Sequence, residues 1–203
     1  MARLDRSLDR SVRDRLQLPR GERPLAWAHA DKAGTPMPAD GAPADGAPAD
    51  GDRNDADPDA GTGDVWVGTR AALYIPAEGT TYRRIPWVGI DRADWNDTTQ
   101  DLRVVELAAF GNVMPRSIGR LRAADRLLQL VRERVTATVV AVRTVPLRDG
   151  RGVRVVARRD PDGHGDLTWT AVLDPGLDPA DPAVVEGAQQ ALAGVRAEVG
   201  LDA

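Results

Sequence analysis

The chain offers only two histidines for acid–base or metal chemistry, His29 and His164. A nucleophile–His–acid triad would have to use one of them, and a histidine-rich metal site is excluded. His29 stands beside Trp27 in an apolar segment, which favours a hydrogen-bonded structural histidine over a catalytic base. His164 lies in a polar stretch that is typical of a turn. The sequence therefore predicts no catalytic residue.

The stretch around His164 contains the best metal candidate, because Asp160, Asp162 and Asp166 could direct carboxylate oxygens towards a calcium ion. An EF-hand-type loop needs a bidentate Glu at its twelfth position, where this chain has Ala171. An ordinary Gly/Asp connection between two strands is the favoured interpretation. Cysteine is absent, which excludes thiolate catalysis, disulfides and iron–sulfur clusters. We expect neither a metal nor another cofactor.

Five tryptophans, in a chain with one Phe and two Tyr, form a second candidate for function. Exposed aromatic rings beside arginines can stack the bases of single-stranded nucleic acid, and Trp87 with Arg83 and Arg84 fits that description. The alternative is that the rings fill a core poor in other aromatic residues, since they occupy apolar strand positions. We name these three residues as candidate binding residues, together with Arg154 and Arg158 from a later basic block.

Charge is distributed unevenly along the chain. Between Arg103 and Arg159 thirteen arginines stand against four acidic residues, a net charge of +9, whereas residues 160–203 carry one arginine against nine acids, a net charge of −8. The basic block can bind a polyanion, or the acidic block can neutralise it within the fold. We favour neutralisation, because the whole chain carries −4, and we expect weak or no nucleic-acid binding.

Two segments near the N-terminus are predicted to lie outside the core. Apolar residues recur every fourth position from Leu4 to Leu16, which predicts an amphipathic arm over residues 1–20, loosely packed or frayed. Residues 31–63 repeat Pro-Ala-Asp-Gly-Ala and hold eight Asp, so we expect a disordered acidic insertion. No apolar run is long enough to cross a membrane and no signal peptide is indicated. We expect a cytoplasmic protein, and peripheral membrane contact is not favoured.

The remaining segments predict strands and two helices. Short segments rich in β-branched and aromatic residues predict an antiparallel meander at residues 25–29, 65–67, 72–75, 82–85 and 102–107. After a Gly/Pro-containing linker, a core-packed helix is predicted from the spacing of Leu121, Ala124, Leu128, Val131 and Val135. Three further strands are predicted at 138–145, 153–158 and 167–173. A C-terminal helix is predicted with Asp181 as N-cap, Pro182 in its first turn and Gly200 at its end.

Two strings are similar to the strand pairs of bacterial pleckstrin-homology-like (PH-like) proteins, Thr69-Arg-Ala-Ala-Leu-Tyr74 and Arg84-Ile-Pro-Trp-Val-Gly-Ile-Asp91. The stretch from Gly21 to Gly176 resembles a family of uncharacterised actinobacterial proteins. The resemblance implies no catalytic residues. Together with the predicted elements it indicates an α+β fold, an antiparallel PH-like sheet or barrel with a central helix, three further strands and a C-terminal helix, as one domain over residues 21–200.

Two functions are compatible with these features. The first is a non-catalytic PH-like binding or scaffolding module whose partner is a protein or, with less support, an anionic head group or nucleic acid. The alternative is an undescribed hydrolase or transferase that uses Asp and Arg residues. A cleft in which carboxylates of raised pKa converge would favour the enzyme, whereas a filled core would favour the module. The oligomeric state is left open.

Overall fold

The structure is a computed structural model and describes residues 8–31, 64–77 and 81–199. The predicted insertion therefore lies outside the described residues except for Asp31, and so does Gly200, the predicted end of the last helix.

The described elements are three α-helices and ten strands. The first helix is α1 (Arg10–Leu16). Seven strands follow: β1 (Pro24–Ala30), β2 (Asp64–Thr69), β3 (Ala72–Pro76), β4 (Tyr82–Pro86), β5 (Ile90–Asn96), β6 (Asp101–Glu106) and β7 (Arg116–Arg122), with a short 3₁₀ helix at Trp87–Gly89. The rest of the chain forms α2 (Asp125–Thr138), β8 (Val139–Arg148), β9 (Arg151–Arg158), β10 (Thr168–Leu173) and α3 (Pro182–Val199).

All strand pairs are antiparallel, and they form two sheets. The larger has the order β4-β3-β2-β1-β7-β6-β5, and the smaller has the order β10-β9-β8. Strand β1 joins the two halves of the larger sheet, because it pairs with β2 along its length and with β7 only at His29–Arg122 and Ala30–Leu121. The predicted α+β class, with three further strands and a C-terminal helix, is confirmed, and the three strands form a sheet of their own.

Helix α2 covers the main core, to which all seven strands of the larger sheet contribute. A sheet whose strands all contribute side chains to one cluster must curve around it. Gly68 lets the helix approach β2 closely, since a Cβ atom there would lie 2.6 Å from Leu130 Cδ2. The buried face of α2 consists of Leu127, Leu130 and Val131, with Leu128 and Val135 half-buried.

The predicted linker before α2 is wrong, because it contains strand β7. Leu121 belongs to this strand and not to the helix. Its buried side chain and Gly119 face the core, whereas the alternate positions from Arg116 to Arg122 are exposed. Three of the four exposed positions of β7 are arginines. This composition hides the strand pattern, because arginine has no particular preference for strands.

Helix α1 packs on the outer side of the larger sheet. Leu8, Val12 and Leu16 are buried against a cluster that includes Val65 and Val67 of β2. The side chain of Asp9 caps the helix by accepting a hydrogen bond from Ser11 N at 2.7 Å. Residues 8–16 therefore belong to the packed structure, contrary to the expectation of an arm outside the core.

The smaller sheet packs one face against α3. Trp169, Ala171 and Leu173 share that face with Val153 and Val155 of the neighbouring strand. The predicted N-cap of α3 is confirmed, since Asp181 Oδ1 accepts a hydrogen bond from Ala183 N at 2.9 Å. This bond, and then the side chain of Arg148, lowers the pKa of Asp181.

The other face of β9 attaches the smaller sheet to the main core through a buried arginine. Arg158 donates to Val135 O at 3.3 Å and to Thr138 Oγ1 at 2.6 Å near the end of α2, and to Asp91 O at 2.8 Å in β5. Burial lowers the pKa of Arg158, and the nearby Asp91 opposes this effect. Arg154 reaches the buried carboxylate of the same aspartate at 2.8 Å. The two arginines of β9 therefore connect the smaller sheet to both α2 and β5.

Candidate functional site

The five candidate binding residues do not share a surface. Trp87 is fully buried, and its indole N–H donates to Thr69 O at 3.2 Å. Arg158 and Arg154 hold the junction around Asp91. These three side chains stabilise the fold. Trp87 and Arg158 are buried, and Arg154, whose side chain is 30% exposed, is held by Asp91.

The remaining two candidates lie on β4. Arg83 Nη1 contacts both carboxylate oxygens of Glu106, at 2.7 and 2.8 Å, and its Nη2 donates to Ser117 Oγ at 2.7 Å. It therefore links β4 to β6 and β7. Arg84 is exposed beside Tyr74, whose pKa is raised by burial and by the charge of Glu22.

The tryptophans pack as the core interpretation predicts. Trp66 and Trp87 are buried in the main core, and Trp95 packs against it. Trp27 packs against the cluster under α1 and Trp169 against the cluster under α3. None of the five stands free as a stacking platform.

Three arginines in the second half of the basic block pair with acids of the acidic C-terminal block. Arg134 pairs with Asp162 at 3.6 Å, Arg143 with Glu198 at 3.8 Å, and Arg148 with Asp181 at 2.9 Å. Each of these acids comes from the acidic C-terminal block, so the favoured interpretation holds for this part. Asp162 also pairs with Arg70 at 2.7 Å, so the Asp-rich turn that was considered as a metal candidate is an ion-pairing loop. Among the described residues no group of His, Cys, Asp and Glu could hold a metal ion.

The first half of the basic block forms a different feature, which we call the arginine face. It is the outer face of β5, β6 and β7, opposite the core. The strand registers place Arg103 beside Ile118, Arg116 beside Val105, and Arg120 beside Asp101. Since residues directly opposite on paired strands point to the same side of a sheet, these side chains form one surface. The arginine face comprises Arg92, Arg103, Arg116, Ile118, Arg120 and Arg122.

Ile118 lies in the middle of the arginine face and is 46% exposed. Val113, in the loop that leads into β7, is 73% exposed and adds a second apolar side chain near Arg116. Within the described ranges, the side chains of Arg103 and Arg116 form no hydrogen bond or ion pair. The face therefore combines an exposed aliphatic side chain with two uncommitted guanidinium groups.

The other three arginines pair with aspartates that lie on the face or beside it. Arg122 Nη2 lies 2.6 Å from Asp31 Oδ1, whereas the Arg120–Asp101 and Arg92–Asp94 pairs are looser, at 3.6 and 3.4 Å. Exposed pairs of this kind contribute at most about 1 kcal/mol each. Arg92 also lies 3.6 Å from the buried carboxylate of Asp91, which Arg154 already holds. Apart from that buried group, five guanidinium groups stand against three carboxylates, so the surface is cationic.

Searches of protein-family models, curated proteins and solved structures found no match to this chain.

The two halves of the larger sheet differ on their outer side. Helix α1 covers β2 and β3, where buried Val67 and Tyr74 face it. The outer face of β5 to β7 has no such cover from the described residues, and Ile118 stays exposed. His29 of β1 is exposed where the two halves meet, beside Arg122. None of the helices formed by the described residues has the length and apolar character to cross a membrane.

The sequence analysis missed the arginine face, although one signal was present. Arg116, Ile118, Arg120 and Arg122 alternate with a serine, a glycine and a leucine, which is the period of a strand. Their neighbour Arg103 could not be added from the sequence, because its place beside Ile118 depends on the pairing of β6 with β7.

Proposed function

We propose that this chain is a non-catalytic, PH-like module that binds another protein through the arginine face. The observation that carries the proposal is the exposed Ile118 with two uncommitted arginines beside it, Arg103 opposite on β6 and Arg116 two positions away on β7. They lie on a sheet whose other half is covered by the chain's own helix. Arginine and exposed apolar side chains are the types that protein interfaces favour over lysine and acidic residues.

The order of elements supports the PH-like part of the proposal. Four consecutive antiparallel strands and then three more surround one core, and the next element, α2, closes it. This arrangement agrees with a barrel that has one closing helix. Strands β8 to β10 and α3 then form an additional layer, attached at Arg154 and Arg158.

The buried cluster of Asp91, Arg154 and Arg158, the site where an enzyme could use Asp and Arg, is held by structural contacts. Asp91 is the most buried carboxylate of the described chain, and Arg154 and the backbone around it hold it in the junction. It has no second carboxylate beside it that could share acid and base roles, within the described residues. The cluster therefore favours the binding module.

Comparative purification from the native host tests the proposal. The tagged full chain, an Arg103→Glu/Arg116→Glu variant and an Arg126→Glu/Arg132→Glu variant are purified in parallel. Arg126 and Arg132 are exposed on α2 and unpaired among the described residues, so the last variant makes the same charge change on another surface. We expect one protein to co-purify in constant ratio with the wild type and the α2 variant, and to be lost from the first variant. The same set of proteins with all three would contradict the proposal.

A further inference from the structure

We infer that the partner presents an extended acidic segment, in which acidic residues stand on both sides of an apolar residue. This inference rests on the proposed function and specifies the chemistry of the partner. It depends on the charge, the spacing and the composition of the arginine face.

Charge is the first argument. Arg103 and Arg116 are exposed and lack a carboxylate within the described structure, while each of the other arginines of the face has one. Carboxylates supplied by a partner would complete the pattern, because guanidinium groups bind carboxylates through two parallel hydrogen bonds. The partner surface is therefore acidic.

Spacing is the second argument. Arg116, Ile118 and Arg120 occupy alternate positions of one strand, so their side chains leave the sheet about 7 Å apart. An extended peptide repeats its side chains with the same period. Acidic side chains two residues before and after an apolar one therefore match Arg116 and Arg120 on either side of Ile118. Arg116 is uncommitted, Arg120 holds Asp101 loosely at 3.6 Å, and Arg103 lies beside Ile118 on the neighbouring strand, where it can contact the same peptide.

The composition of the arginine face favours an acidic peptide over nucleic acid as the partner. Asp94 and Asp101 stand among the arginines of the face, opposite Arg103 and Arg120. A phosphate backbone would bring closely spaced negative charge against both carboxylates, and it has no apolar group for Ile118. A peptide can place its acids over Arg103 and Arg116 and leave the two aspartates facing neutral groups.

Composition also argues against the chain's own acidic segment. Residues 32–63 are rich in Asp, but Met37 is their only large apolar residue, and it lies outside the Pro-Ala-Asp-Gly-Ala repeats. The repeats therefore cannot offer an apolar residue with acids on both sides.

Photo-crosslinking in the native host tests the inference. Ile118 of the full chain is replaced by the photoreactive p-benzoyl-phenylalanine, and the crosslinked peptide is identified by mass spectrometry. We expect a segment of another protein with acidic residues flanking an apolar one. The product should disappear when Arg103→Glu/Arg116→Glu is added and persist when Arg126→Glu/Arg132→Glu is added.

The outcomes separate this inference from the proposed function. A crosslink to a segment without acidic residues in another protein would overturn the inference and leave the proposed function standing. A crosslink to nucleic acid, to lipid or to residues 32–63, or the absence of any product, would overturn both.

Charge exchange with the purified partner gives a second readout. Arg103→Glu/Arg116→Glu should weaken binding by about tenfold, the effect of losing two exposed charge pairs. Replacing the flanking acids of the identified segment by lysine should weaken binding to the wild type and restore most of the binding to the variant. Failure of this restoration would overturn the inference, because the charges would then not meet.

Discussion

A single residue, Arg158, links the three parts of the fold. Its guanidinium group satisfies two acceptors near the end of α2 and one carbonyl in β5, all in a buried position. Carbonyl groups in the last turn of a helix have no partner within the helix. An arginine that reaches them supplies a hydrogen-bond donor, and its positive charge interacts favourably with the negative end of the helix dipole. Removing this group leaves buried acceptors without a donor, which is costly.

Arg158→Met tests this role at nearly constant volume. We expect the free energy of unfolding to fall by about 2–4 kcal/mol, because buried polar groups lose their partner. Urea unfolding followed by circular dichroism measures the change. Arg143→Ala removes an exposed arginine whose only ion pair is 3.8 Å long, and it should cost less than about 0.5 kcal/mol. Equal losses for the two variants would show that Arg158 is not a link between the sheets.

At the scale of the element, two glycines have different roles. One allows close packing against a neighbouring side chain, and the other occupies an open position in a helix. A Cβ atom at Gly119 in β7 would lie 2.6 Å from the ring of Trp66, whereas Gly194 in α3 has open space around it. A rigid ring cannot move aside cheaply in a filled core. The helix position has no contact to lose and gains from a better helix former.

Gly119→Ala and Gly194→Ala should therefore change stability in opposite directions. We expect the first to lower the free energy of unfolding by about 1–3 kcal/mol through overpacking. The second should raise it by about 0.5–1 kcal/mol, because alanine restricts the unfolded chain. Thermal unfolding of both variants beside the wild type measures the difference. Stabilisation by Gly119→Ala would mean that β7 does not lie against Trp66.

The elements that sequence analysis predicted well are those with local signals. Asp181 and Pro182 mark the start of α3, and apolar alternation marks β10, so both could be located without knowledge of the fold. Strand β7 was missed because its exposed positions are three arginines and an isoleucine, and its inward positions include Gly119. The glycine is required by Trp66 of β2, a residue distant in sequence.

At the scale of the whole molecule, the charge blocks have two different fates. The arginines of residues 134–148 meet acids of residues 160–203, as the sequence predicted. Arg103 and Arg116 lie on the outer face of β6 and β7 and pair with none of these acids within the described residues, so they keep their charge for a partner. A count of charges along the chain cannot separate the two groups, because the separation depends on which strands pair.

The central claim is that the partner docks on the arginine face, and the isoleucines provide a direct measurement. The chain has four, of which Ile75, Ile85 and Ile90 are buried in the main core and only Ile118 is exposed. Methyl NMR of isoleucine δ1 groups therefore contains one reporter of the face and three internal controls, and Ile118→Val assigns the reporter. On titration with the co-purified partner, we predict that the Ile118 signal shifts or broadens most while the three buried signals change little. Binding that leaves the Ile118 signal unchanged would contradict the account.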